Sequence, residues 1–140
     1  MNIRVYTPKQ FAELEQPWKQ LEYGKDMTVF QLYDWYKQLN KLYFREHTKN
    51  IFRTWIYVLA EDEEKPIMIA PIQVIRLGAE FMGIGLERAF YFIGRQGYSD
   101  YLNFIYKDFS EKAVLCIFSY LQKTYGISKC YFERLLIMVP

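Results

Sequence analysis

Between Gly94 and Tyr101 the chain reads Gly94-Arg95-Gln96-Gly97-Tyr98-Ser99-Asp100-Tyr101, and nowhere else do glycines, hydrogen-bonding side chains and aromatics converge between apolar runs. Arg95 can pair with a carboxylate or phosphate, and Gln96 and Ser99 can hydrogen-bond a sugar or an amide. Tyr98 and Tyr101 can stack on an apolar face. Asp100 can accept a proton from an attacking amine where burial raises its pKa. The same residues also suit a plain turn, in which Gly94 and Gly97 bend the chain, Asp100 ties the following backbone and the tyrosines pack inward. These six side chains, Arg95, Gln96, Tyr98, Ser99, Asp100 and Tyr101, form the candidate substrate-binding set. No catalytic residue can be assigned, because no nucleophile, base and orienting group come together.

The remaining chemistry-bearing residues read as structural. His47, the one histidine, follows an amphipathic stretch beside Arg45, Glu46 and Lys49; a general base needs a partner and an orienting third group, which the sequence does not supply. One histidine and two unclustered cysteines make no zinc site. Cys116 and Cys130 have apolar neighbours and suit buried free thiols in a reducing compartment. Glu61-Asp62-Glu63-Glu64-Lys65 is a solvated hairpin turn, since consecutive carboxylates cannot all face one ion. Glu80-Phe81-Met82-Gly83-Ile84-Gly85 is the nearest approach to a glycine-rich phosphate cradle, but it opens with an acid and leads towards a strand rather than a helix.

The elements that must position the loop follow from periodicity. Ile3 to Tyr6 is a short strand. Thr7-Pro8-Lys9-Gln10 combines an N-cap, a proline at the first helical position and a capping-box glutamine, and opens a helix with Phe11, Leu14, Trp18 and Leu21 on one face. Pro17 must kink or split that helix, and Gly24 ends it. Thr28-Val29-Phe30-Gln31 repeats the start signal before a second stripe of Leu32, Trp35/Tyr36, Leu39 and Leu42/Tyr43. Its aromatics, with Tyr33 and Phe44, are core residues rather than a base-stacking surface.

A strand at Trp55–Leu59 leads into the acidic hairpin and returns as Pro66–Leu77, where Pro71 demands a bulge or an edge because it cannot donate to a ladder. Gly78–Gly85 is a connection. Strands at Ala89–Ile93 and Tyr101–Tyr106 flank the candidate loop. Asp108-Phe109-Ser110-Glu111 is a further capping box, opening a helix with Val114, Ile117/Phe118, Leu121 and Tyr125 inward and Gly126 as its C-terminal cap. The last strand covers about residues 129–136. The apolar end Leu135–Pro140 needs cover from the core or from a partner.

The chain of 140 residues fits one domain over residues 1–140. Hydrophobic residues at 51% against 24% charged can support a packed core rather than a disordered chain. Charge is nearly balanced, at 18 basic and 16 acidic residues without a like-charged block, which argues against a nucleic-acid partner. No apolar run approaches the ~20 residues of a membrane span, and no signal peptide is visible, so the expected setting is cytoplasmic, without membrane contact.

The element order is α+β, with helices covering a central, mostly antiparallel sheet. Four segments add detail: Trp18-Lys19-Gln20-Leu21; Thr28-Val29-Phe30-Gln31 before Trp35; Ile69-Ala70-Pro71-Ile72 after the acidic hairpin; and Phe92-Ile93-Gly94 before Ser99-Asp100-Tyr101-Leu102. Together they resemble the N-terminal half of GNAT-superfamily acetyltransferases associated with bacterial cellulose biosynthesis, relatives of the Fem-type peptidyltransferases. The resemblance implies a GNAT-like domain that contributes substrate-side surface to an acyl-CoA-dependent acyltransferase. Acetyl-CoA or another acyl-CoA would be held elsewhere, by a second GNAT-like domain, because the cradle motif here departs from the family pattern. Two other readings stay open: a non-enzymatic module that dimerises or docks on a partner, and a small complete N-acetyltransferase with an atypical cofactor loop.

Overall fold

The structure is a computed structural model that describes residues 1–22, 27–46, 53–77, 87–93 and 104–131. Its centre is a six-stranded sheet built from β1 (Asn2–Tyr6), β2 (Arg53–Asp62), β3 (Lys65–Leu77), β4 (Glu87–Phe92), β5 (Ile105–Tyr106) and β6 (Ile127–Tyr131). The order is β1-β2-β3-β4-β6, and β5 pairs with β3 beyond the end of β4. The first four strands are antiparallel to one another, whereas β6 lies parallel to β4. The parallel step needs a crossover, which the helix α3 (Glu111–Tyr125) supplies.

Alternation along β2 and β3 divides the core into two layers. On one face Ile56, Val58, Ala60, Met68, Ala70 and Ile72 meet Ala113, Ile117 and Leu121 of α3. On the other, Trp55, Tyr57, Leu59 and Ile69 pack under the N-terminal helical segments, against Phe11, Leu14, Trp18, Tyr33 and Tyr36. Both faces are covered, so β2 from Trp55 to Ala60 and β3 from Pro66 to Ile72 are apolar without interruption.

The helix-start signals act more locally than the sequence suggests. Pro8–Leu14 is a 3-10 helix, and α1 (Glu15–Leu21) begins only afterwards. The split therefore falls at Leu14/Glu15, and Pro17 sits in the first turn of α1, where proline is tolerated. Likewise Val29–Gln31 is a 3-10 helix, Leu32 is extended, and α2 (Tyr33–Glu46) follows. Both glutamines still cap as expected: Thr7 N–H donates to Gln10 Oε1 at 3.0 Å and Thr28 N–H to Gln31 Oε1 at 2.8 Å. The N–H of α2's first residue, Tyr33, instead donates at 2.9 Å to the buried Glu22 carboxylate. A side chain distant in sequence thus does the work of a local cap.

At α3 the cap is Ser110 rather than Asp108, with Ala113 N–H donating to Ser110 Oγ at 3.1 Å. Gly126 takes the left-handed conformation expected of it, at φ 62°, and donates to Gln122. Cys116 is a free thiol on α3, half-buried rather than buried. Tyr33 and Tyr36 are core residues.

The acidic hairpin closes through Glu63 and Glu64 at φ 49° and 64°. Two left-handed central residues are the mark of a type I′ loop, a conformation that suits Asn-Gly and costs other residues roughly 1 kcal/mol each. Glu63→Asn combined with Glu64→Gly is therefore expected to raise stability by about 1 kcal/mol, read as a higher urea midpoint at unchanged slope.

Candidate functional site

The six residues of the candidate set, Arg95, Gln96, Tyr98, Ser99, Asp100 and Tyr101, lie outside the described residues. So do the Glu80–Gly85 stretch, His47 and the apolar end Leu135–Pro140. The frame from which the loop departs is described on both sides.

That frame is a break in the pairing of β3. One stretch of β3 pairs with β4 up to Ile72↔Phe92, and the preceding stretch pairs with β5 through Met68↔Tyr106 and Ile69↔Ile105. Between the two partners stands Pro71. It opposes Tyr57 of β2 in the interior of the sheet, which corrects the expectation of a bulge or an edge. Its carbonyl accepts from Ile93 N–H at 3.1 Å. Alternation places the proline nitrogen on the same side as that carbonyl, facing Ile93, so this position makes one backbone bond to Ile93 where a residue with an N–H could offer a second. The β3–β4 ladder accordingly stops at Ile72↔Phe92, and β3 takes β5 as its partner at Ile69 and Met68.

Both ends of the loop are fixed in the core. Phe92 and Ile93 on one side, and Phe104 and Ile105 on the other, are buried. The Phe92 and Phe104 rings meet edge-to-face with centroids 5.0 Å apart. Phe104 C=O accepts at 3.2 Å from Gln31 Nε2, while Gln31 C=O accepts at 2.9 Å from Trp18 Nε1. Gln31 is 1% exposed. Its one side chain joins the cap of the 3-10 segment to the C-terminal base of the loop, a role that its place in a capping box does not reveal.

Beneath the helices the polar groups are largely paired. Asn40 donates to Pro8 C=O at 2.8 Å and accepts from Tyr57 Oη at 2.9 Å, and Trp55 Nε1 donates to Gln73 Oε1 at 3.0 Å. Among the described residues two buried hydroxyls have no hydrogen-bond partner, Tyr36 Oη and Thr28 Oγ1. Burial pushes the Tyr36 hydroxyl pKa well up.

A cleft of about 460 Å³ opens near the far end of β5, where α1 ends and β3 begins. Leu21, Pro66 and Ile67 form its apolar part, and Gln20, Lys65, Lys107 and Asp108 supply polar groups. No helix among the described residues is long and apolar enough to cross a membrane, and no group of three or more potential metal ligands occurs among them. Comparison of the chain with protein-family models, with curated proteins and with solved structures gives no match.

Proposed function

We propose that this domain is the acceptor-side, GNAT-like half of an acyl-CoA-dependent acyltransferase, with the segment around Arg95–Tyr101 as its acceptor-binding element. The carrying observation is the arrangement around β4. A parallel partner reached through a helix lies on one side of it, a break in the pairing of β3 lies at its end, and a polar segment leaves that break with both bases anchored. Segments whose ends are held close by packed side chains are frequent carriers of function. The acid at Glu80 in the nearest cradle sequence favours acyl-CoA being held outside this domain.

The test is a thermal-shift and calorimetry series on the chain, using acetyl-CoA and a panel of amino acids and amino sugars. The expected result is that an amine raises Tm by several degrees, as ligand at about 100 Kd would. Tyr98→Ala and Asp100→Asn abolish that shift, and acetyl-CoA produces none. Micromolar acetyl-CoA binding by the chain alone overturns the division of labour, and a panel without any stabilising amine overturns the acceptor role.

A further inference from the structure

We propose that the cleft between the end of α1, the start of β3 and the turn after β5 binds a small organic anion, a carboxylate or phosphate attached to an apolar body. Lys65 enters it from the start of β3 and Lys107 from the turn after β5. Among the described residues Arg4 is paired with Glu61 and Lys19 with Glu15. Lys65, Lys107 and Asp108 make no such pair. Two ammonium groups and one carboxylate leave the lining with an excess positive charge, where a further anion is attracted and a cation repelled.

The apolar part of the lining determines what kind of anion fits. Leu21 is 4% exposed, and Pro66 and Ile67 are half-buried, so one wall is hydrocarbon while the charged groups stand at the rim. A ligand with a short aliphatic or aromatic body lays that body on the wall and turns its charged end to the lysines. Gln20 and Asp108 are left to accept or donate hydrogen bonds at its polar substituents. Bare phosphate gains only the electrostatic part. Phe104 at the base of the polar loop is three residues from Lys107, roughly 10 Å along an extended strand. The cleft is thus a neighbour of the proposed acceptor element and separate from it, and it stands or falls independently of the acyltransferase reading.

The experiment is a backbone-amide NMR titration of the labelled chain in low-salt buffer with three probes: sodium hexanoate, inorganic phosphate and hexylammonium chloride. Hexanoate is expected to saturate with a Kd on the order of millimolar and to shift residues 20–21, 65–67 and 107–108. Phosphate binds the same residues more weakly, and hexylammonium leaves them unchanged. Lys65→Gln and Lys107→Gln each weaken hexanoate about three-fold, the scale of an exposed charge contact, and 150 mM salt weakens it further. Both positions are exposed, so the variants fold, which their unshifted spectra verify. Shifts that rise linearly without saturation overturn the site. So do shifts spread equally over distant lysines such as Lys9, Lys41 and Lys112, an equal response to hexylammonium, or unchanged affinity in the double variant.

Discussion

Trp18→Ala is expected to destabilise the domain by about 4 kcal/mol, lowering Tm by roughly 10 °C or more. Trp18 is fully buried, and its ring meets Phe11, Tyr33, Tyr36 and Tyr57 at centroid distances of 5.0 to 6.1 Å. Truncation opens a cavity at the point where both 3-10 segments, α2 and β2 converge, so no single neighbour can collapse into it. It also removes the donor from Gln31 C=O, on the residue that holds Phe104. Trp18→Phe keeps most of the packing and loses the donor, and should cost about half as much. Urea unfolding of the two variants separates the terms. A loss below about 1 kcal/mol for Trp18→Ala would mean that the helical layer is not packed on the sheet as described.

Tyr36→Phe is expected to stabilise the domain, by about 1 to 2 kcal/mol. The hydroxyl is fully buried without a partner, so it gave up its hydrogen bonds to water and received none in exchange. The aromatic contacts with Trp18 and Tyr57 survive the change. A pH dependence follows from the same burial. The folded-state pKa of Tyr36 is raised above the ordinary value near 10 by desolvation, so the phenol stays neutral in the folded state while the unfolded chain releases its proton. The unfolded state therefore binds fewer protons above pH 10. Stability attached to this group is complete below that pH and falls above it, by up to about 1.4 kcal/mol per pH unit. Urea midpoints measured from pH 8 to pH 11 should show that decline in the parent and a shallower one in Tyr36→Phe. Equal slopes, or a destabilised variant, would indicate that the hydroxyl is paired after all.

Much of the fold is legible in the sequence, for a physical reason that varies by element. The stripe Phe11, Leu14, Trp18 and Leu21, the β-branched and aromatic run from Trp55, and the inward positions Ile117 and Leu121 all follow from periodicity. Burial of one face imposes that periodicity directly on residue type. Gly126 was also readable, because few other residues tolerate a left-handed cap. Caps that depend on distant partners were not. Glu22 holds the start of α2, and Gln31 ties the first helical layer to Phe104, although nothing near either residue announces its partner. Extra i→i+3 bonding at Thr7 and Thr28 also looks the same in sequence as the opening of an α-helix.

Residue order alone specifies that the chain is α+β, the approximate place of its strands and helical layers, and many of the side chains that face inward, but it starts α1 seven residues early, at Pro8 rather than Glu15. Those properties rest on local periodicity and on backbone preferences that each residue carries with it. That Pro71 lies inside the sheet rather than at its border follows from the strand order alone. The proline's missing N–H ends a ladder wherever it falls, and which ladder that is depends on how β4 and β5 share β3. The tertiary structure likewise gathered Lys65 and Lys107 into one cleft, since residues from separate elements meet only through the pairing of the strands that carry them.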